Sequence, residues 1–456
     1  MSEEKKLLYK KTLLLAVPIM IQQGITNAVG LVDNLMVGSL GEEAITAVSI
    51  AGQLMFVFNL AIFGALSGPG IYGAQYYGNG DTEGVRGVFR IKLWVTAICA
   101  TIGIVVFLNF DTFLLGLYMK GSASQIDPVK TMELAKQYLR IMILGIPFFA
   151  LTQVYSTSLR ETNESMKPML SGIVSVVADI VLNYLLIFGK FGFPKLGVAG
   201  AAYATVASRV AEFLVIVIWS HLSTKKHIFL KGMFKTLLVP RKMITPIIKK
   251  STPILMNEFL WAGAIAVITT NYSVRGLNVL TAMNISNAIC NLLNVVFIAL
   301  GHAVGIIIGQ MLGAGEFEKA KRSSVSLMWF TAIVCALISI MLIALSGVFP
   351  KFYKTDESIR HMASKFIFIT ALFFPVQGFL NSLYFTLRSG GKTLVTFLFD
   401  SVFSWTMCVT VSFALAHYTG LNIYTIYIIV QALDIIKVVI GYVMIKKGIW
   451  ISNLVT

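Results

Sequence analysis

Long apolar stretches alternate with short polar segments along the whole chain. The apolar stretches recur at lengths of about 20 residues or more, enough to cross the roughly 30 Å hydrocarbon core of a bilayer as a helix. No long polar linker divides the chain into soluble domains. The pattern predicts an all-α polytopic membrane protein whose twelve transmembrane helices lie at about 11–37, 46–76, 89–110, 133–158, 165–188, 197–219, 246–271, 280–308, 323–346, 361–386, 394–416 and 422–445.

The composition agrees with a membrane location. Of the 456 residues, 57% are hydrophobic and only 13% are charged, whereas soluble domains carry about 25% charged residues. The apolar run behind the charged start MSEEKKLLYKK is too long for a cleaved signal peptide, so we expect the first helix to be retained. The four cysteines lie inside apolar runs without C-x-x-C spacing, which predicts neither a disulfide framework nor a zinc site.

The net charge of +16 raises the question of nucleic-acid binding. If the N-terminus is cytoplasmic, most of the 37 lysines and arginines fall in segments on the cytoplasmic side. This bias follows the positive-inside rule and places both termini in the cytoplasm of a cell-membrane protein. The charge is then explained without nucleic acid.

An internal repeat divides the chain into two halves. Pro18 and Pro253 are separated by the same offset as Gln75 and Gln310, so GAQYYGNGD corresponds to IGQMLGAGE. Because each half has an even number of spans, the halves share one orientation, as in transporters built from parallel repeats. We predict two pseudo-symmetric six-helix lobes around a cavity that opens alternately to each side. The predicted boundaries are 1–220, 221–245 for a basic cytoplasmic linker, and 246–456.

The energy source is expected to be an ion gradient. The loops YGNGD and LGAGE lack the G-x-x-x-x-G-K-[ST] pattern of a nucleotide-binding loop and fit helix C-caps better. The loop GNGDTEGVRG also lacks the D-R-x-G-R-like pattern of the major facilitators. Neither a nucleophile–base set nor an H-E-x-x-H motif occurs, so we expect no enzyme activity and no cofactor apart from the coupling ion.

Several motifs resemble those of one transporter family. They are VDNLMVGSLG, GAQYYGNGD, LRETNESMKP, LNYLLIFG, LGVAGAAYAT, IGQMLGAGE and LRSGGKT, and together they extend over essentially the whole chain. In this order, and repeated across the halves, they resemble a bacterial multidrug and toxic compound extrusion (MATE) transporter. The resemblance implies export of small, often cationic, organic compounds in exchange for Na⁺ or H⁺, with substrate bound between the lobes. The alternative is a lipid-linked saccharide flippase of the same superfamily.

An aspartate interrupts the first span. Asp33 lies in a stretch, residues 13–37, that holds no other charge. A carboxylate at membrane depth costs roughly 2.5–3.5 kcal/mol on insertion scales, so an intramembrane acid is by default a functional hypothesis. The alternative is that Asp33 only hydrogen-bonds a helix end.

Further oxygen ligands occur in spans 5 and 6. Asp179 and Asn183 stand four residues apart on one helix face, and Thr205 follows in the next span. Carboxylate, amide and hydroxyl oxygens suit Na⁺, while burial favours a protonated carboxyl, so both ions stay open. By the resemblance, these positions and Asp33 form the coupling site of the N-terminal lobe. The chain has Asp179 where the common archaeal-type pattern has Asn, and Asn183 where it has Asp, which puts the site geometry in question.

The C-terminal lobe has acids of its own. Glu258 matches the position of a span-7 glutamate that contacts a cation in some MATE transporters. The usual span-10 aspartate is missing, since that span offers Gln377 and Asn381. Asp400, near the start of span 11, either replaces it or caps a helix on the cytoplasmic side.

Other polar positions inside the spans have simpler explanations. We expect Arg209 with Glu212, and Asp434 with Lys437, to neutralise each other at i, i+3 spacing. Cavity-lining side chains suited to flat organic cations are predicted as well. They are Phe149, Gln153, Tyr155, Trp261, Gln377, Asn381 and Tyr384. We expect the transporter to be a monomer whose partners are the lipid bilayer and its small-molecule substrates.

Overall fold

The computed structural model describes residues 3–119, 127–223 and 227–455. These residues form helices joined by short loops, and no strand occurs among them. Residues 224–226 of the predicted linker lie outside the described residues. The all-α prediction is confirmed.

The helices follow one another with few intervening residues, as expected for a chain that crosses a membrane repeatedly. In chain order they are α1 (Glu3–Gly38), α2 (Glu42–Gly78), α3 (Thr82–Met119), α4 (Pro128–Ile143), α5 (Ile146–Glu161), α6 (Met166–Phe188), α7 (Val198–Leu222), α8 (Arg241–Ser273), α9 (Leu277–Gly313), α10 (Phe317–Ser346), α11 (Glu357–Ser389), α12 (Thr393–Phe397), α13 (Thr410–Tyr418) and α14 (Ile423–Lys447).

Among the described residues, eleven helices are long and apolar enough to cross a membrane, counting Thr393–Tyr418 as one. The pair α4 and α5 makes a twelfth span if it is counted as a single bent one. The sequence predicted a continuous helix over 133–158, but the two parts meet at an angle of 49°. Gly145 precedes α5 and a proline lies in its first turn. The proline lacks the N–H needed to continue the hydrogen-bond ladder of α4, which explains the bend.

The eleventh span also departs from a regular helix. Between α12 and α13 the backbone forms two π-helical turns, Leu398–Val402 and Ser404–Val409. Such turns insert an extra residue and often occur at functional sites. Asp400 lies in the first of them, so the local backbone changes the direction in which its carboxyl points.

The described helices divide into two compact units. The N-terminal unit contains Ile21–Gly73 and Thr82–Thr245, and the C-terminal unit contains Met1–Met20, Ala74–Asp81 and Pro246–Thr456. The predicted lobe boundaries at 220 and 246 stay a prediction.

The N-terminal unit is held together by a buried ion pair as well as by helix packing. Helices α6 and α7 pack along their lengths. Lys92 of α3, fully buried, lies 2.7 Å from the Glu161 carboxylate of α5 and also donates to Ser158. Glycines at 70 and 73 make room for Glu161, because a Cβ at either position would collide with its carboxylate. A buried charge is tolerated only when it is paired and hydrogen-bonded in this way.

The C-terminal unit has a core of α9, α10 and α11, against which the start of α1 packs, and the end of α2 crosses α9 closely in the same unit. A Cβ added at Gly78 would overlap the Gln310 backbone, and one at Gly313 would overlap the Gln75 backbone. Only glycine permits these two close helix crossings. The Gln75 side chain also donates to the Ser389 carbonyl at 2.9 Å, which fixes the end of α11.

Candidate functional site

The N-terminal unit brings two predicted acids together around one amide. The Asn183 Nδ2 donates to Asp33 Oδ1 at 2.9 Å and to Asp179 Oδ2 at 3.1 Å. Asn183 is 1% exposed and Asp179 is 6% exposed, whereas Asp33 is half-buried near the end of α1. One nitrogen therefore joins a carboxyl group 150 residues away in the chain to one that is 4 residues away. Asp33 therefore accepts a hydrogen bond from a side chain of α6, the helix that carries Asp179.

Hydroxyl groups complete the surroundings of Asp179. The Ser208 Oγ of α7 donates to Asp179 Oδ1 at 3.2 Å. The predicted Thr205 lies beside the same carboxyl, and its hydroxyl also donates to the Ala201 carbonyl at 3.1 Å. The buried Tyr138 of α4 contacts Thr205 in turn. Ser208 follows Thr205 by three residues, a spacing that would have placed it on the same helix face. No sequence signal indicated Tyr138.

The N-terminal cluster, defined as Asp33, Asp179, Asn183, Thr205 and Ser208, offers only oxygen ligands apart from the amide nitrogen. Among the described residues, the buried Asn183 Oδ1 has no hydrogen-bond partner. A buried acceptor without a partner is costly and is commonly satisfied by water or an ion. Carboxylate, amide and hydroxyl oxygens suit Na⁺, and the carboxyl pair alone suits a proton. The side chains present therefore fit either coupling ion.

The C-terminal unit pairs its acids with a lysine. Lys437 Nζ of α14 lies 3.4 Å from Asp400 Oδ1 and 3.3 Å from Asp434 Oδ1, and it donates to Ser404 Oγ at 3.2 Å. Lys437 therefore pairs with Asp434, as predicted, and also with a second acid, Asp400. Asp400 lies in this network.

Amide and hydroxyl side chains extend the same network. The Asn257 Nδ2 of α8 donates to Asp400 Oδ2 at 3.1 Å and to the Tyr384 hydroxyl at 3.2 Å. At the other end, the Gln377 Nε2 donates to Asp434 Oδ2 at 2.6 Å. Sequence reasoning missed Asn257, although it precedes the predicted Glu258.

Glu258 forms a looser ion pair. Its Oε1 lies 3.9 Å from Arg388 Nη1, and both side chains are largely buried. This separation permits attraction but exceeds hydrogen-bond length. The Arg388 Nη1 is buried without a hydrogen-bond partner in the part of the chain that the structure describes, and the guanidinium lies over the rings of Tyr384 and Phe385.

The remaining predicted residues lie within each unit as follows. Arg209 pairs with Glu212 at 3.8 Å, as its spacing suggested, and its guanidinium lies 4.6 Å from the Phe149 ring centroid. Tyr155 is buried and its hydroxyl bonds to His221 at 3.0 Å. The other members of the predicted lining are on helices of both units: Gln153 on α5, Trp261 on α8, and Asn381 with Tyr384 on α11. A cavity lined by these residues stays a prediction.

Buried charged clusters inside a bundle of apolar spans are the arrangement of an ion-coupled membrane transporter. The comparisons with known proteins identify the family. The MatE family model matches residues 18–185 and 253–413, which together make up more than half of the chain. The chain belongs to the MATE family, and the family predicted from its motifs is confirmed. Members of this family are transporters and not enzymes.

Relatives and solved structures agree with this assignment. The chain is 28% identical to the probable multidrug resistance protein YoeA of Bacillus subtilis, over 93% of this chain and 91% of that protein. It is 29% identical to the multidrug resistance protein PmpM of Pseudomonas aeruginosa, over 89% and 83% respectively. Neither relative has a flippase name.

The fold is shared with solved MATE structures. A crystal structure of MATE in complex with MaD3S superimposes with a TM-score of 0.86 at 19% identity, covering 98% of both chains. A mutant of the Vibrio cholerae MATE transporter VcmN gives the same score at 17% identity, again over 98% of both chains. The all-α polytopic fold is thus confirmed.

Proposed function

We propose that this transporter exports small organic cations in exchange for Na⁺ or H⁺, and that the coupling ion binds at the N-terminal cluster. The proposal rests chiefly on one observation, the Asn183 amide that joins the Asp33 and Asp179 carboxyl groups. Two carboxylates so close together in a buried site oppose each other's ionisation. A cation or a proton relieves that opposition.

Arg209 attracts the Asp179 carboxyl of the cluster by its charge, but it forms its ion pair with Glu212. Within the described residues, neither Asp33 nor Asp179 forms an ion pair with a lysine or arginine within 4.0 Å. A buried acid without such a partner is costly when ionised. The site therefore favours an ion taken from solution, and the Asn183 Oδ1 offers that ion an additional ligand.

Binding at the cluster drives transport only if the ion distinguishes two conformations. A ligand shifts an equilibrium by its differential affinity for the two states, and each tenfold difference contributes about 1.4 kcal/mol. A cluster that admits the ion from one side and holds it without water in the other state provides such a difference. Asp33, half-buried next to the deeply buried Asp179, has the graded exposure that this requires.

We assign the cargo to the organic-cation class. Relatives of this chain are named multidrug resistance proteins. In the C-terminal unit, the acids Glu258, Asp400 and Asp434 outnumber the bases Arg388 and Lys437 that pair with them. One uncompensated negative charge remains, and Glu258 with its long ion pair is the most available acid for a cationic cargo or a second ion.

We also propose a monomer in the cell membrane with both termini cytoplasmic. This orientation can be tested by labelling introduced cysteines with an impermeant thiol reagent in whole cells. In a background without the four native cysteines, Ser39→Cys between α1 and α2 should be labelled from outside, whereas Asn79→Cys between α2 and α3 should not. The opposite labelling would invert the topology.

Transport itself is tested in proteoliposomes. Efflux of a fluorescent cationic dye should accelerate under an imposed Na⁺ gradient or an imposed pH gradient, applied separately and at clamped membrane potential. Protein-free liposomes provide the background, and a neutral dye of similar size tests cargo charge. If neither gradient changes the rate, the chain is not a Na⁺ or H⁺ antiporter.

A further inference from the structure

The C-terminal unit has an apolar groove whose position the transport site does not explain. It has a volume of about 440 Å³ and lies among α10, α11 and α14. Trp329 of α10 and Val439 of α14 form its walls, and Pro375 and Phe379 of α11 lie at its base. Its lining side chains are apolar except for the Tyr442 hydroxyl and the Trp329 indole N–H.

The groove opens on the outer surface formed by α10, α11 and α14. Trp329 and Val439 are 56% and 58% exposed. Both belong to membrane-spanning helices, so their exposed faces are available to lipid. Aromatic rings connect the base to the walls, since the Phe379 centroid lies 5.3 Å from that of Trp329 and 6.0 Å from that of Tyr442. An empty apolar gap in a bilayer forfeits dispersion contacts that an acyl chain would provide.

The groove matches the depth of one leaflet. Its lining on α14 extends from Ile435 to Val443, about 12 Å at the helical rise of 1.5 Å per residue. Half of the roughly 30 Å hydrocarbon core is about 15 Å. An acyl chain lying along the groove would thus end near the membrane surface.

Two cations stand at one end of the groove. Lys446 is seven residues beyond Val439 on the same face of α14, and its Nζ lies 5.1 Å from the Tyr442 ring centroid. Arg322 is seven residues before Trp329 on the same face of α10 and is exposed. Each cation is therefore about 10 Å from the centre of the groove along its helix.

The two cations belong to the same end of the unit. A Cβ added at Gly448 would lie 3.7 Å from Lys321 Nζ, so the start of α10 is adjacent to the end of α14. Across the parts of the chain that the structure describes, Arg322 and Lys446 form no ion pair within 4.0 Å. The acids nearby in sequence are Glu316 and Glu318, and Glu316 is paired with Lys319 at 3.1 Å. Basic residues thus exceed acidic ones at this end.

We propose that the groove holds an acyl chain of an anionic phospholipid, whose phosphate is bound by Arg322 and Lys446. The apolar walls recognise the chain, and the two cations recognise the headgroup from opposite sides. Each lysine or arginine close to an anionic lipid surface strengthens binding about fivefold, so the two together strengthen it roughly 30-fold. With the termini cytoplasmic, this lipid belongs to the cytoplasmic leaflet, but its binding does not depend on the proposed antiport.

The test uses the purified full-length protein in detergent, titrated with phosphatidylglycerol or phosphatidylcholine of identical acyl chains. Native mass spectrometry reports the retained lipid. The wild type should retain one phosphatidylglycerol in preference to phosphatidylcholine. Arg322→Gln with Lys446→Gln should weaken phosphatidylglycerol retention roughly 30-fold and abolish the preference. Val439→Trp, which fills the groove, should weaken retention of both lipids.

A matched control removes one arginine and one lysine elsewhere. Arg241→Gln with Lys242→Gln, both exposed at the start of α8, should leave lipid retention unchanged. Melting temperatures of all variants confirm that they are folded. The proposal is overturned if the wild type does not distinguish the two lipids, or if Val439→Trp retains phosphatidylglycerol as the wild type does. It is also overturned if one molecule of a transported dye displaces the one bound phosphatidylglycerol.

Discussion

The two units treat their buried acids differently. In the N-terminal cluster, Asp33 and Asp179 share an amide nitrogen and have no lysine or arginine within 4.0 Å among the described residues. In the C-terminal unit, Lys437 lies between Asp400 and Asp434 at 3.4 and 3.3 Å. A lysine built into the helix neutralises acids permanently, whereas an acid pair without such an ion pair can be neutralised by a cation from solution. The comparison supports the proposal that the coupling ion binds in the first region, while the second region has a more fixed electrostatic framework.

Removing the built-in cation should have the largest effect. Lys437→Met leaves Asp400 and Asp434 buried without an ionic partner, which typically costs about 3–5 kcal/mol. We expect a markedly lower melting temperature in detergent, partly restored by adding Asp400→Asn. Lys447→Met, at an exposed position on the same helix, serves as the control and should melt like the wild type. An unchanged melting temperature for Lys437→Met would remove the basis of the comparison.

Asp33→Asn should separate stability from coupling. The change removes a costly charge and retains a side chain that can bond Asn183, so the melting temperature should equal or exceed that of the wild type. Gradient-driven dye efflux should fall by about 5–150-fold, the usual range of coupling free energies, while dye binding in detergent persists. Asp111→Asn is the control, because Asp111 is a buried acid of the same unit that already pairs with Arg140 at 3.0 Å. Wild-type efflux with unchanged ion dependence in Asp33→Asn would exclude Asp33 as the coupling residue.

Glu258→Gln tests whether the C-terminal unit also meets a cation from solution. Its 3.9 Å separation from Arg388 is too long for a hydrogen bond, so the neutral isostere should fold normally. Dye affinity measured by fluorescence should weaken by about tenfold, since a buried charge contact is lost. The exposed Glu133→Gln provides the matched control. Equal affinity and equal ion dependence would give Glu258 a purely structural role.

Ser208→Ala should have the smallest effect. It removes one hydrogen bond to Asp179, worth about 0.5–1.5 kcal/mol. The ion concentration for half-maximal efflux should rise by a few-fold while the maximal rate is nearly unchanged. Ser171→Ala, at a buried serine of α6 whose hydroxyl donates to the Pro168 carbonyl of its own helix, should leave the ion dependence as it is. Identical curves for both variants would place Ser208 outside the cluster.

The prediction of membrane-spanning helices was confirmed because the length of an apolar run is a local property of the sequence. The lengths of the apolar runs were sufficient to locate the membrane helices, and the motifs were sufficient to identify the family. Interruptions of regular geometry were harder to find. The bend after α4 has a sequence signal in Gly145 and the following proline, but the π-helical turn around Asp400 has none that we identified.

The sequence by itself determined relations within one helix, because a 3.6-residue period places i, i+3 and i+4 on one face. Asp179 with Asn183, and Asp434 with Lys437, follow from that rule. Contacts between helices depend on how each helix is rotated and packed against its neighbours, which no local pattern encodes. Only the tertiary structure decided that Asn183 also reaches Asp33 and that Lys437 also reaches Asp400.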